Sequence, residues 1–157
     1  MFKKRRTVEQ VEESNELAPK FDENGLIVVT TVDFETNDIL MTGFMNKEAL
    51  ERTIQTKEAY YYSRSRNALW HKGATSGYTQ KVREILIDDD QDCLVLEVEL
   101  TSTDAGGEEA SCHVGYRSCF YREVIDEQDG PALRFIEAEK SFDPEEVYGD
   151  TPNPTQL

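Results

Sequence analysis

Residues 79–100 read TQKVREILIDDDQDCLVLEVEL, and this stretch decides the fold. Polar and apolar residues alternate from Thr79 to Ile87 and again from Cys93 to Leu100, which is the two-residue period of half-buried β-strands. The acidic loop, Asp88 to Asp92, joins the two runs. We therefore predict a β-hairpin with four carboxylates and the Cys93 thiol at its connection.

The flanking segments predict more strands than helices. Apolar, β-branched or aromatic runs predict strands, and two segments with N-capping residues predict helices. The result is an α+β fold with a mostly antiparallel or mixed sheet and few helices. Strands are predicted over Leu26–Val32, Ile39–Met45, Glu58–Ser63, Phe120–Ile125 and Leu133–Ile136, helices over Thr7–Asn15 and from Asn46 to Gln55, and loops over Arg64–Gly77 and Ser102–Glu109.

Length and charge limit the possible partners. The chain has 157 residues, which favours one main domain, and a formal net charge of -15 argues against nucleic acid or an anionic membrane as a partner. Three cysteines and no apolar segment after the basic start indicate a cytoplasmic protein without a secretory signal or membrane span. We expect residues 1–125 to form the main domain and residues 126–157 a partly mobile extension with nine acidic and two basic residues.

The acidic loop has two interpretations, a solvated hairpin tip or a site for a hard cation. In a straight strand Asp88, Asp90 and Asp92 would share one side but stand roughly 6 to 7 Å apart in successive pairs, so binding one ion requires a curled backbone. The spacing also resembles a calcium EF-hand. That interpretation fails because Cys93 replaces the glycine at position six and strands replace the flanking helices.

A second constellation lies in SCHVGYRSC, residues 111–119. Cys112 and Cys119 are candidate zinc ligands, and His113 is a candidate for proton transfer, although two free cysteines can also be small buried side chains. Zinc with three protein ligands keeps a position for water and lowers its pKa to about 7. Cys93 is the remaining thiol that could complete such a site.

A basic island interrupts the acidic chain between residues 64 and 77. Guanidinium, ammonium and hydroxyl groups beside glycines are typical of phosphate recognition, whereas a solvated loop is the alternative. Trp70 could belong to the core or stack on a flat base. These residues together indicate an enzyme with zinc-activated water, a second hard cation and a phosphorylated ligand.

Three stretches carry a resemblance to a known family. They are SRSRNALWHKGATSG over residues 63–77, the acidic loop, and SCHVGYRSCFY over residues 111–121. Together they resemble the phosphoribosyl-AMP cyclohydrolases of histidine biosynthesis. The resemblance implies an α+β homodimer with active sites between the subunits. It also implies hydrolytic opening of the purine ring of phosphoribosyl-AMP at the N1–C6 bond, giving a formimino-carboxamide ribonucleotide.

The resemblance implies Mg²⁺ at Asp88, Asp90 and Asp92 and Zn²⁺ at Cys112 and Cys119. The third zinc ligand departs from the family pattern, because Asp89 stands where the family has cysteine. We hypothesise that Cys93 replaces that cysteine, with Asp89 as the alternative ligand. A second departure is Ala74, where the family motif usually has glutamate.

Other roles follow from the same motifs. We expect His113 and Lys72 to be catalytic, His113 by moving protons between water and the leaving ring nitrogen. The side chains expected to bind the nucleotide substrate are Arg64, Ser65, Arg66, Trp70, Thr75, Ser76, Arg117 and Ser118. A non-catalytic metal-binding or regulatory module is the alternative function. A zinc deaminase is disfavoured because neither His71 nor His113 has glutamate two residues later.

Overall fold

The computed structural model describes residues 1–101, 110–155 and 157. The loop predicted over Ser102–Glu109 lies outside the described residues. The elements in chain order are α1 (Val8–Glu13), β1 (Leu26–Asp33), β2 (Ile39–Asn46), α2 (Lys47–Thr56), β3 (Tyr60–Ser63), β4 (Ala68–His71), β5 (Gln80–Ile87), β6 (Cys93–Leu100), β7 (Arg122–Glu127), β8 (Gly130–Phe135) and α3 (Pro144–Tyr148).

The central sheet has the strand order β2-β1-β6-β5. The predicted hairpin is confirmed, because β5 and β6 pair antiparallel from Gln80 opposite Leu100 to Ile87 opposite Leu94. β1 pairs antiparallel with β2 and parallel with β6, so the sheet is mixed. The predicted α+β class with few helices is confirmed.

The core lies on one face of this sheet. The alternation seen in the sequence is the burial pattern of β6, in which Leu94, Leu96, Val98 and Leu100 are buried and the residues between them are partly exposed. Apolar side chains of β1, β2 and α2 pack against the same face. Helix α2 begins as predicted, because the Asn46 side chain accepts a hydrogen bond from the Ala49 amide at 2.8 Å.

The prediction of one continuous loop from Arg64 to Gly77 is wrong. Residues Ala68–His71 form strand β4, which pairs antiparallel with β3. The tyrosine run of β3 needs a partner for its backbone groups, and the turn at residues 64–67 lets the chain return beside it. Polar composition concealed this short strand.

The C-terminal part of the chain contains more structure than its composition predicts. β7 and β8 form an antiparallel hairpin that spans the expected domain boundary at residue 125. Helix α3 follows, with Asp143 as its N-cap. No helix in the described part of the chain is long and apolar enough to cross a membrane.

Candidate functional site

Cys112 and Cys119 lie side by side at the ends of a tight loop. Contact between the two thiols lowers the pKa of Cys112 against the opposing effect of burial, and it raises the pKa of Cys119 together with burial. Backbone hydrogen bonds close the loop at Ser111 and fix its far end to β2, where the Cys119 amide donates to the Leu40 carbonyl at 2.7 Å. The two predicted zinc ligands therefore lie close together within one chain.

Lys72 is buried next to this thiol pair, with 5% of its surface exposed. Its Nζ donates to the Ser111 carbonyl at 2.5 Å and lies 5.1 Å from the centre of the Trp70 ring. Burial lowers the pKa of Lys72, while the charges of Cys119 and Cys112 oppose that shift. A buried cation beside two thiols favours their anionic form.

A series of hydrogen-bonded, buried polar side chains ends at Ser111, the residue before Cys112. The Tyr61 hydroxyl lies 2.6 Å from the Thr31 hydroxyl and donates to Gln80 at 2.6 Å, and the Gln80 amide donates to the Ser111 hydroxyl at 3.0 Å. The sequence analysis missed these residues. The available signal was Gln80, a polar residue on the same side of β5 as the buried Val82.

His113 is partly buried between the thiol loop and the end of the chain. Burial lowers the pKa of His113, although a hydrogen bond with Asn153 opposes this. Among the described residues, its Nε2 atom is buried and has no hydrogen-bond partner. The ring therefore presents one nitrogen that is free for a ligand or a proton.

The C-terminal segment clamps the loop between the cysteines. The Glu137 carboxylate accepts hydrogen bonds from the amides of Arg117 and Ser118, both at 3.0 Å. The Gly115 carbonyl accepts from the amides of Ser141 and Phe142 at 2.7 and 3.3 Å. Gly115 has φ +105°, and a Cβ there would stand 2.4 Å from the Phe142 carbonyl oxygen, so this close approach requires glycine.

Two predicted substrate-binding side chains in this loop are held by protein groups. Arg117 pairs with Asp33 at 2.7 Å and with Asp38 at 3.0 Å. The Ser118 hydroxyl donates to the Ile39 carbonyl at 2.7 Å. Both contacts attach the loop to β1 and β2.

The basic island is divided between two turns. Arg64, Ser65 and Arg66 lie exposed in the turn between β3 and β4, where Arg64 stacks on the Phe44 ring at 4.1 Å. Thr75 and Ser76 lie in the turn after β4, beside Lys72. The Trp70 ring lies between the cations of Lys72 and Arg66, at 5.1 and 5.7 Å from its centre.

Gly73 has a different role from the one expected of a phosphate loop. It has φ +87°, and a Cβ there would stand 2.5 Å from backbone atoms of Tyr78 and Thr79. The space beside the Gly73 backbone is therefore filled by the protein's own backbone, which closes the turn after β4, and not by a ligand.

The acidic loop curls, as the cation interpretation requires. One oxygen each of Asp88, Asp89 and Asp90 lies within 4.8 Å of the others. Asp92 is outside this group, and its carboxylate pairs with Lys20 at 3.1 Å. The turn is stabilised by Asp88, whose Oδ1 accepts from the amides of Asp92 and Cys93, both at 2.9 Å.

The acidic loop and the loop that holds Cys112 and Cys119 lie at opposite ends of the β5–β6 hairpin. Ser111, next to Cys112, contacts Gln80 at the start of β5, whereas the acidic loop and Cys93 follow Ile87 at its end. The eight residues of β5 span roughly 26 Å. Cys93 therefore does not reach Cys112 and Cys119 within one chain.

Known proteins of one family match most of this chain. A family model described as phosphoribosyl-AMP cyclohydrolase matches residues 41–121. Phosphoribosyl-AMP cyclohydrolases from two strains of Rhodopseudomonas palustris are 52% and 51% identical over 142 residues, covering 90% of this chain and 90% of each relative. This chain belongs to the phosphoribosyl-AMP cyclohydrolase family. The resemblance seen in the sequence is confirmed.

The protein of that name from Bradyrhizobium diazoefficiens is 48% identical over 139 residues, covering 88% of this chain and 94% of the relative. These alignments are longer than the family model. The relatives therefore share sequence with this chain beyond residues 41–121. Both the acidic loop and the cysteine loop lie inside residues 41–121, so the similarity is not confined to the segment that carries them.

The donor groups of this chain are of two kinds, which suit two kinds of metal ion. The Cys112 and Cys119 thiols suit a soft ion such as Zn²⁺ but supply two protein ligands, fewer than a zinc site needs. The oxygens of the acidic loop suit a hard ion such as Mg²⁺.

Proposed function

We propose that the chain hydrolyses phosphoribosyl-AMP at the N1–C6 bond and gives the formimino-carboxamide ribonucleotide of histidine biosynthesis. Water adds to C6, the N1–C6 bond breaks, and N1 takes up a proton. The observation that carries this proposal is the group of buried Lys72, buried Cys112 and exposed Cys119 beside His113, in a chain of the cyclohydrolase family.

Cys112 and Cys119 would hold Zn²⁺, with Cys93 or Asp89 as the third ligand. When bound, Zn²⁺ supplies the Lewis acidity that makes water a nucleophile near neutral pH. Because Cys93 and Asp89 lie at the other end of the hairpin, the third ligand would come from a second copy of the chain. This separation supports the proposed homodimer with shared active sites.

His113 would carry the proton from water to N1 of the leaving ring. Its buried Nε2 atom has no hydrogen-bond partner among the described residues, and burial lowers its pKa, so the ring is neutral and ready to accept a proton near pH 7. Lys72 would keep its Nζ atom beside the thiols, bonded to the Ser111 carbonyl.

The acidic loop would hold Mg²⁺ through Asp88 and Asp90, with Asp92 or Asp89 as a further ligand. The cations and hydroxyls of the two turns around β4, all exposed except the half-buried Ser76, would bind the phosphates and riboses of the substrate. They are Arg64, Ser65, Arg66, Thr75 and Ser76, with Trp70 as a stacking surface. Arg117 and Ser118 would join them only by giving up their present partners. Three free cysteines support a cytoplasmic location.

The test is turnover of phosphoribosyl-AMP by the purified full chain with Zn²⁺ and Mg²⁺, followed by ultraviolet absorbance. We expect turnover and one zinc per chain, with Cys93→Ser removing both if Cys93 is the third ligand. Full activity and zinc content in Cys93→Ser, together with their loss in Asp89→Asn, would assign Asp89 instead. Zinc binding without turnover would favour the non-catalytic module.

A further inference from the structure

Gln91, in the middle of the acidic loop, is buried although its neighbours are charged. Only 5% of its surface is exposed, whereas Asp88 and Asp89 are exposed and Asp90 and Asp92 are partly exposed. Its backbone has φ +59°, a conformation that costs a side-chain-bearing residue free energy. A buried amide in a strained turn indicates that the side chain has a specific partner.

That partner is the N-terminal arm, residues 1–20. The Gln91 Oε1 accepts from the Ala18 amide at 2.8 Å, and its Nε2 donates to the carbonyls of Val11 and Glu16 at 2.9 and 3.2 Å. The Gln91 carbonyl accepts from the Lys20 amide at 2.7 Å. Three of the four hydrogen bonds that the side-chain amide can make are thus with the arm.

Arg5 ties the arm to the acidic loop at a second point. Its guanidinium donates to the Ala18 carbonyl at 2.7 Å and to the Asp90 carbonyl at 2.9 Å. Arg5 thus bridges the arm and the backbone of a predicted cation ligand. Among the described residues, the next residue, Arg6, hydrogen-bonds within the arm, its guanidinium to Glu16 and its amide to Gln10.

We infer that Gln91 and Arg5 are positioning residues for the cation site, through which the N-terminal arm holds the acidic loop in its curled form. This inference rests on the proposed binding of a hard cation by the acidic loop. A curled loop brings three carboxylates within 4.8 Å of one another, and their mutual repulsion opposes that geometry when no cation is bound. The bonds to Arg5 and Gln91 fix the chain at the Asp90 carbonyl and at the residue after it, and so offset the repulsion.

The test is titration of the full chain with Mn²⁺, a hard cation whose free form is measured by electron paramagnetic resonance. The variants are Gln91→Gly and Arg5→Met, with Arg6→Met as the matched control. Glycine accepts φ +59° without strain, so Gln91→Gly keeps the turn and removes only the anchor. Loss of a hydrogen bond that holds a metal-ligating residue in place typically weakens metal affinity by about 10-fold or more. We expect Mn²⁺ affinity to fall by that order in both variants.

Whether Mn²⁺ affinity falls or rises in Arg5→Met shows whether Arg5 acts by positioning the acidic loop or by its charge. Removing a cation near the carboxylates strengthens Mn²⁺ binding by charge alone, which is what Arg6→Met measures. Weaker binding in Arg5→Met therefore supports positioning against the direction of the charge effect. Binding in Arg5→Met and Gln91→Gly as tight as in the wild type or in Arg6→Met would overturn the inference.

The wild-type titration distinguishes failure of the inference from failure of the proposed site. If the wild type binds Mn²⁺ and the variants bind equally well, only the positioning role is lost. If the wild type does not bind Mn²⁺, the cation site and the inference both fail. Amide hydrogen exchange gives a second readout, because coupling is reciprocal: Mn²⁺ should slow exchange at the Ala18 and Lys20 amides in the wild type and not in Gln91→Gly.

Discussion

The Nζ atom of Lys72 lies 2.5 Å from the carbonyl oxygen of Ser111, the residue before Cys112. This hydrogen bond holds a buried amine close to the Cys112–Cys119 pair. Among the residues that the structure describes, Lys72 forms no ion pair with a carboxylate, and burying an unpaired cation costs free energy, so its position is more easily explained by the chemistry of the site than by stability.

Replacing Lys72 with methionine should therefore separate activity from stability. We expect turnover to fall by about 10²-fold or more, because a fixed charge beside the reacting groups is lost. The melting temperature should stay the same or rise, since methionine fills a similar volume without a desolvated charge. Thermal melts and steady-state kinetics measure the two effects. The exposed Lys81→Met is the control and should change neither, and a large loss of stability in Lys72→Met would show that Lys72 is structural.

Asp33 should stabilise the fold in a pH-dependent way. Burial raises the pKa of Asp33, but hydrogen bonds from the Thr36 and Glu35 amides and the charge of Arg117 outweigh it and leave the pKa lowered. A lowered carboxyl pKa gives stability that is present above the unfolded-state pKa, about 3.9, and is lost as the pH falls through the folded-state pKa. Asp33→Asn should lose about 1 to 3 kcal/mol near neutral pH, and its difference from the wild type should shrink in acid.

Urea unfolding at several pH values measures this difference. The matched control is Asp38→Asn, because Asp38 pairs with the same guanidinium but its side chain is 59% exposed. We expect that variant to lose at most about 1 kcal/mol. Equal losses in the two variants at every pH would contradict the role assigned to Asp33.

Glu137 should order the loop between Cys112 and Cys119. Glu137→Gln keeps the shape but loses the charge that strengthens two hydrogen bonds from the loop amides, and we expect a loss of about 1 kcal/mol. Hydrogen exchange at the Arg117 and Ser118 amides should become faster. The exposed Glu139→Gln serves as the control, and unchanged exchange at both amides in Glu137→Gln would contradict the clamp.

Gly73 should tolerate substitution less well than Gly25. Both have positive φ, +87° and +74°, so alanine is strained at both positions, but only at Gly73 would a Cβ stand 2.5 Å from backbone atoms. We expect Gly73→Ala to lose more than about 2 kcal/mol and Gly25→Ala about 1 kcal/mol. Chemical denaturation compares the two variants directly. Similar losses would mean that the turn after β4 can relax.

Much of the fold could be predicted because its strands and caps are local patterns. The bounds of β6 were predicted to the residue, since alternation from Cys93 to Leu100 is also its burial pattern. The start of α2 was predicted because Asn46 caps it. Strand β4 was missed because its pairing with β3 depends on a turn of polar residues that resembles a loop in composition.

The sequence by itself determined the α+β fold, the family, and the two sets of candidate metal ligands, because periodicity and short motifs are properties of neighbouring residues. Only the tertiary structure placed Lys72 beside Ser111 and attached Gln91 to the N-terminal arm. It also placed Cys93 and the Cys112–Cys119 pair at opposite ends of one hairpin. The physical reason is that these relationships depend on strand pairing and chain reversal between residues far apart in sequence, which no local pattern encodes.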